Sequence, residues 1–352
     1  MKLFWKNIGI FLLALLMLCS AASCAKEQEG VEYVGNLAFY DLGNNTLAVG
    51  VAPECEKLIT AETIPAEHEG KPVVRIVRSG FANCENLSSI TLPDGLVEIG
   101  ISAFSNCTSL TEVKFSEQCK PVSIGDYAFS GCSAMGAISI PDTVTDIGSY
   151  AFSFCVSLES AELPDALTVL KPHTFYQCET LKSISIPDTV TEVGKYAFLD
   201  CESVSEIRIG KGVSIIGQYA FKGCDMLERF EVNAKNGSYS AQSGILYAGD
   251  NFVAVPNQLK GDVVIPEGVK AIPSSTFAGQ SEITSVSIPS SVISIGGSAF
   301  VGCTALKKVT FADPNGWRYD DSSLGSKFFA NPQNVAKYIT GDFSTKAWKK
   351  SN

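Results

Sequence analysis

Over most of this chain the apolar positions follow one short repeating pattern. A phenylalanine recurs at Phe81, Phe104, Phe129, Phe152, Phe175, Phe198 and Phe221, at steps of 23, 25, 23, 23, 23 and 23 residues. It returns at Phe277 and Phe300, again 23 apart. Each unit reads V-x-x-I-G-x-x-A-F-x-x-C-x-x-L-x-x-I-x-I-P with some drift, as in "VTDIGSYAFSFCVSLESAELP". A fixed internal period outweighs other sequence signals, because it identifies a stacked repeat architecture.

The spacing within a unit predicts its local structure. Ile184 and Ile186 alternate with polar neighbours, which predicts a short strand buried on one face. The dipeptides Pro141-Asp142, Pro164-Asp165 and Pro187-Asp188 that follow such strands are turn chemistry. V-x-x-I-G predicts a second extended piece, closed by a glycine free to take positive φ. From A-F to the cysteine and leucine, apolar spacings of 1, 3 and 3 suit a single α- or 3₁₀-helical turn. No unit can bury its apolar face alone, so the units must stack into one continuous core. The expectation is an α/β solenoid of about nine 23-residue turns.

The nine A/G/T-F units and the L-x-x-I-x-I-P strands, over residues 72–312, resemble the BspA-like branch of bacterial leucine-rich repeat proteins. That resemblance implies a leucine-rich-repeat solenoid in an exported or surface-anchored protein. It also implies a non-enzymatic role in adhesion, with a host or microbial protein or glycan as partner.

The flanking segments break the pattern. Residues 31–71, with an Asn44-Asn45 turn between apolar runs, predict a β-rich N-terminal cap. Residues 313–352 predict a C-terminal cap, with a helix starting at Asn331-Pro332. Its aromatics, Trp317, Phe328, Phe329, Tyr338 and Trp348, read more simply as a lid over the last apolar layer than as a ligand platform. Between Phe221 and Phe277 the step is 56 residues, so an insertion lies at about 233–263. "GILY", "AGDN" and "FVAVP" within it predict a projecting β-hairpin, with Tyr247 and Phe252 as candidate ligand contacts.

The first residues predict export. Lys2 and Lys6 precede the apolar run Ile8 to Leu18, which is too short to span a bilayer. Small residues follow, so 1–23 reads as a signal peptide. Ala21-Ala22-Ser23-Cys24 resembles a bacterial lipoprotein box, with Cys24 as the lipidated residue and 24–30 as a tether. The expected location is the outer membrane or cell surface, held by the N-terminal lipid alone, with secreted or periplasmic protein as the alternative. Removing 1–23 leaves 25 of the 27 basic residues against all 37 acidic ones. Such an acidic chain lacks the basic clusters that nucleic acid requires. A monomer is expected.

Candidate chemistry is sparse. His68 and His173 lie in different units without metal-ligand or nucleophile-elbow context, and His173 reads as a tolerated surface substitution. The aspartates at 142, 165 and 188 could form a calcium ladder, but turn capping is the simpler reading. No cofactor, metal or catalytic residue is expected. The repeat cysteines Cys84, Cys107, Cys132, Cys155, Cys178, Cys201, Cys224 and Cys303 would stack with parallel side chains. Their Cβ atoms would then stay near the strand spacing, wider than a disulfide needs, and a straight row cannot close a tetrahedron. Small buried hydrophobes is the remaining reading. Cys55 and Cys119 lie outside the row.

Exposed strand positions would form a flat polar face, so Lys114, Glu162, Ser185, Arg208 and Glu231 are candidate ligand contacts. The alternatives are a structural component of a surface assembly and a polymer hydrolase. A hydrolase would need paired carboxylates in a cleft; Glu162 and Glu206 lie two units apart.

Overall fold

The computed structural model describes residues 30–116, 119–319, 322–341 and 344–351. Residues 1–23, expected to be a signal peptide, and Cys24 lie outside them. Short strands stack in two parallel rows. The longer row runs Ala61–Thr63, Ser89–Leu92, Glu112–Phe115, Ala137–Ser139, Ser160–Glu162, Ser183–Ile186, Glu206–Ile209 and Arg229–Val232, then Lys260–Val264, Glu282–Ile288 and Lys308–Phe311. Neighbours pair in register at the repeat period, as in Ser183↔Glu206 and Ile184↔Ile207. The second row is made of two-residue strands such as Asp146–Ile147 and Glu192–Val193.

The solenoid therefore has about eleven turns rather than nine. Two of its strands, Ala61–Thr63 and Lys260–Val264, belong to turns without the phenylalanine. In the first of these Ala52 takes the phenylalanine's place. The Cys55 N–H donates to the Ala52 carbonyl at 3.1 Å, as that of Cys84 does to Phe81 at 3.3 Å. Cys55, outside the row in sequence, belongs to this degenerate first turn.

The helical turn expected after A-F does not form, so the repeat is β-solenoid rather than α/β. The residues two before and two after each of the nine repeat phenylalanines have positive φ, from Ser79 at 55° to Gly279 at 81°. Left-handed residues at both ends of a five-residue segment preclude an α-helix. They turn alternate N–H groups along the solenoid axis instead, while those between bond locally, as Ser130 does to the Tyr127 carbonyl at 3.1 Å. Tyr127, Phe129 and Gly131 donate to the carbonyls of Ser149, Ala151 and Ser153 in the next turn at 2.8–3.0 Å. Among the described residues, helix is confined to Ser326–Phe329 and Pro332–Thr340. The second starts where Asn331 accepts from the N–H groups of Gln333 and Asn334.

Phe81, Phe104, Phe129, Phe152, Phe175 and Phe198 form a buried stack with centroids 5.2–5.5 Å apart. Phe277 and Phe300 form a second stack at 5.1 Å. Phe221 departs from the expected core row: it is half-buried, because the next phenylalanine of the repeat position, Phe277, lies 56 residues on. The core divides there into two clusters.

The row cysteines are buried free thiols. They do more than fill space. Each Sγ from Cys107 to Cys224 donates to the carbonyl of the phenylalanine 26 or 28 residues earlier, at 3.0–3.4 Å. Cys303 does the same to Phe277. Burial pushes the Cys155 thiol up to about 12, which keeps it protonated as a donor. Gln280 takes the cysteine slot above the insertion. Its amide spans two groups there, donating to Pro256 O at 2.7 Å and accepting from the Leu259 N–H at 3.2 Å.

The expected hairpin of the insertion forms, between Ile245–Ala248 and Asn251–Ala254, but it does not project. Ser240–Gln242, Ile245–Ala248 and Asn251–Ala254 form an antiparallel meander laid over the break, with Ile245, Leu246 and Tyr247 buried. Three consecutive large apolar residues need cover on both faces of their strand. At the N-terminal end, Val31–Val34, Leu37–Asp41 and Leu47–Val51 form an antiparallel sheet that continues into the second row through Lys71–Ile76. At the other end Trp348–Lys350 pairs with Ser294–Ile295, and Trp317, Phe329 and Trp348 are buried over the last layer.

Candidate functional site

The strand face expected to meet ligand is exposed but internally compensated. Lys114 Nζ lies 3.0 Å from Glu112, and Glu162 accepts from Ser139 Oγ at 2.6 Å. Ser185 is exposed. Arg208 spans Glu231 at 3.0 Å and the buried Glu206 carboxylate at 2.5 Å, and Arg229 also pairs with Glu206. The Arg208 hydrogen bond holds the Glu231 carboxyl below the usual range. Exposed pairs of this kind contribute little stability, and here they leave little uncommitted charge. Glu162 and Glu206, the carboxylates a hydrolase would use, are thus tied to other side chains.

Two expected contacts are corrected. Tyr247 is fully buried, and burial raises its phenol. Phe252 is half-buried against Tyr247 and Phe277, with centroids 5.0 and 6.0 Å away. Both face the core because the meander lies flat.

A different surface carries aromatic side chains. The left-handed position two before the phenylalanine holds serine at Ser79, Ser102, Ser275 and Ser298, but Tyr127, Tyr150, His173, Tyr196 and Tyr219 in five consecutive turns. Their rings stack along the axis, with centroids 4.7, 4.2, 4.8 and 5.6 Å apart and planes within 27°. Tyr127 is 42% and Tyr219 48% exposed at the two ends. Tyr176 meets His173 edge-on at 5.8 Å, Phe154 packs against Tyr176, and Lys222 Nζ lies 5.3 Å from the Tyr219 centroid.

A bulky residue at positive φ costs on the order of 1–3 kcal/mol. An aromatic pair returns about 0.5–1.5 kcal/mol. Serine adopts the same left-handed backbone at Ser79, Ser102, Ser275 and Ser298, so the turn sets the strain, and what the five aromatic turns add is a stacked, partly exposed ring row. Since the ring faces cover one another, the ridge presents edges along its length and free faces only at its ends. His173 is the central rung, not an incidental surface substitution. Burial among the rings holds its pKa below the ordinary imidazole value, so it is neutral near pH 7. The signal was in the sequence, in "DYAF", "SYAF", "PHTF", "KYAF" and "QYAF".

The last rung borders a cleft. A cavity of about 640 Å³ opens where the solenoid breaks, between Ile216–Cys224 and Val253–Val255. Elsewhere, His68 Nε2 lies 2.9 Å from Glu32, and its ring stacks on Phe39 at 4.3 Å. Glu69 comes close to both, so this cluster ties the N-terminal sheet together. Two of the aspartates bond between turns: Asp142 and Asp188 accept from the N–H groups of Asp165 and Lys211 in the next turn, at 3.3 and 2.8 Å. Among the described residues no helix is long and apolar enough to cross a membrane.

Residues 70–180, 120–228 and 257–342 match the BspA type leucine rich repeat region, in 6 copies. A leucine rich cell surface protein from Faecalibacterium prausnitzii A2-165 superposes with a TM-score of 0.64 at 31% identity, covering 81% of this chain and 77% of that one. The pneumococcal vaccine antigen PcpA has a TM-score of 0.48 at 19% identity, over 80% of this chain and 69% of its own. A leucine-rich repeat protein from Bacteroides ovatus ATCC 8483 has a TM-score of 0.34 at 22% identity, over 79% and 94%. No curated protein matches the sequence.

Proposed function

The chain belongs to the BspA-type leucine-rich repeat family, and we propose that it is an exported, non-enzymatic interaction protein that grips a protein or glycan partner along the ridge from Tyr127 to Tyr219. Proteins of this family are typically found at the cell surface and generally bind rather than catalyse. The observation that carries the reading is the ridge itself: five aromatic rings held at strained backbone positions and partly open to solvent. Tyrosine is a favoured contact residue because its ring is large, rigid and amphipathic. The polar strand face serves as scaffold surface. Cys24 anchors the chain through lipid, with the acidic solenoid outside the membrane.

The mature domain, screened on a glycan array and against surface-protein extracts, provides the binding readout. Replacing Tyr127, Tyr150, Tyr196 and Tyr219 by serine should weaken capture at least about tenfold. Lys114→Ala with Arg208→Ala should leave it unchanged. The reverse pattern would transfer the role to the strand face. Cys24→Ser should abolish incorporation of a labelled fatty acid and release the protein from membranes.

A further inference from the structure

The solenoid is held together along its corner by a fixed set of hydrogen bonds. In seven turns the N–H groups two before the phenylalanine, at it, and two after it all donate to the next turn. Tyr196, Phe198 and Asp200, for example, donate to the carbonyls of Gln218, Ala220 and Lys222 at 3.2, 2.8 and 2.9 Å. The acceptors are alternate residues of one strand of chain.

At Phe221 no such turn follows. The insertion replaces it on the other sides: Tyr239 Oη accepts from the Ile216 N–H at 3.1 Å, Gly244 O from that of Phe230 at 2.8 Å, and the Gln258 N–H reaches Leu227 O at 2.8 Å. It does not cover the corner. The N–H groups of Tyr219, Phe221 and Gly223 donate to nothing among the described residues. All three line the cavity of about 640 Å³. Phe221 lines it too; its ring rests on Phe198 at 5.9 Å and meets only the edge of Phe230 at 5.2 Å. The size suits a ligand site, and a row of unpaired backbone donors beside an apolar wall is a template for another chain.

We propose that this cleft docks an extended peptide segment of a partner protein. Its carbonyls would take the three N–H groups, and a large apolar side chain would lie on Phe221. The hydrogen-bond pattern selects the ligand class. In the seven regular turns these donors go to three separate carbonyls two residues apart, so one anion cannot satisfy them, whereas alternate carbonyls of a peptide can. The site lies beyond the ridge reading but adjoins it, since Tyr219 belongs to both.

The probe is a synthetic peptide copying residues 294–306 with Cys303→Ser. In this chain that segment supplies the matching carbonyls of Gly297, Ala299 and Val301 to the Phe277 turn. Residue-resolved amide exchange on the mature domain is the measurement. Without peptide, the amides of Tyr219, Phe221 and Gly223 should exchange at least about 100-fold faster than those of Tyr196, Phe198 and Asp200. Saturating peptide should slow them about tenfold or more. Val253→Trp, which fills the cleft from an exposed position on its far wall, should remove that slowing while the other turns stay protected. Tyr127→Ser with Tyr150→Ser should keep it, so a failed ridge and a failed cleft give different results. Equal exchange in the free protein, or no slowing by peptide, overturns the proposal. Slowing by sodium sulfate or cellohexaose instead of the peptide also overturns it, in favour of an anion or glycan site.

Discussion

The thiol of Cys178 donates to the carbonyl of Phe152, 3.1 Å away in the turn below. The same bond recurs from Cys107 to Cys224 and at Cys303, so these cysteines tie the corner of one turn to the next. Cys178→Ala should cost about 2–3 kcal/mol, combining a lost buried hydrogen bond with a small cavity. Cys178→Ser should cost less, because a hydroxyl can keep the bond. Urea unfolding of the two variants compares them.

The same burial makes the row sensitive to alkali. Cys155 and Cys224 are pushed up to about 12 from an ordinary 9.0, so the folded state holds protons that the unfolded chain releases. Their contribution to stability is complete below pH 9 and falls as pH rises from there towards about 12. Midpoints of urea unfolding should be flat with respect to these thiols up to pH 9 and drop steeply above it. In native protein at pH 8 the row should resist alkylation, and after denaturation every thiol should react. Substantial native labelling of Cys155 would contradict its burial.

Restoring the repeat consensus should harm the protein at one point. Gln280 reaches both Pro256 and Leu259. A cysteine there is too short to do so, and would leave a buried carbonyl and N–H unpaired. Gln280→Cys should destabilise by about 1–3 kcal/mol, as thermal unfolding would show.

Repeat architecture keeps damage local. Phe175 is stacked 5.5 Å from both Phe152 and Phe198, so Phe175→Ala should cost about 3–5 kcal/mol. Amide protection should fall first in the adjacent turns and last beyond the insertion.

The ridge predicts a titration. His173 lies between Tyr150 and Tyr196, and burial lowers its pKa. A depressed imidazole favours the folded state above its unfolded pKa and loses that contribution as pH falls through this range. Tyr150→Ser with Tyr196→Ser should raise the His173 pKa towards the ordinary value, which NMR titration of the imidazole reads directly. Stability at pH 7 should fall by about 0.5–1.5 kcal/mol per ring pair lost, since serine keeps the left-handed backbone and only the stacking goes.

The sequence alone determined the solenoid, because a period of 23 residues with Phe, Cys, Leu and Ile at constant offsets has one economical solution: rows stacked into a common core. It also placed the phenylalanine and cysteine rows, the break after Phe221 and the apolar ends. Tertiary structure decided the rest, because backbone direction and side-chain cover are not readable from spacing. Apolar spacings of 1, 3 and 3 match a helix, but paired left-handed residues made a corner whose N–H groups point along the axis. That corner turned five aromatics outward into a ridge. The insertion's apolar strand folded down onto the break because nothing else covered it, burying Tyr247 and leaving the corner of the Phe221 turn open.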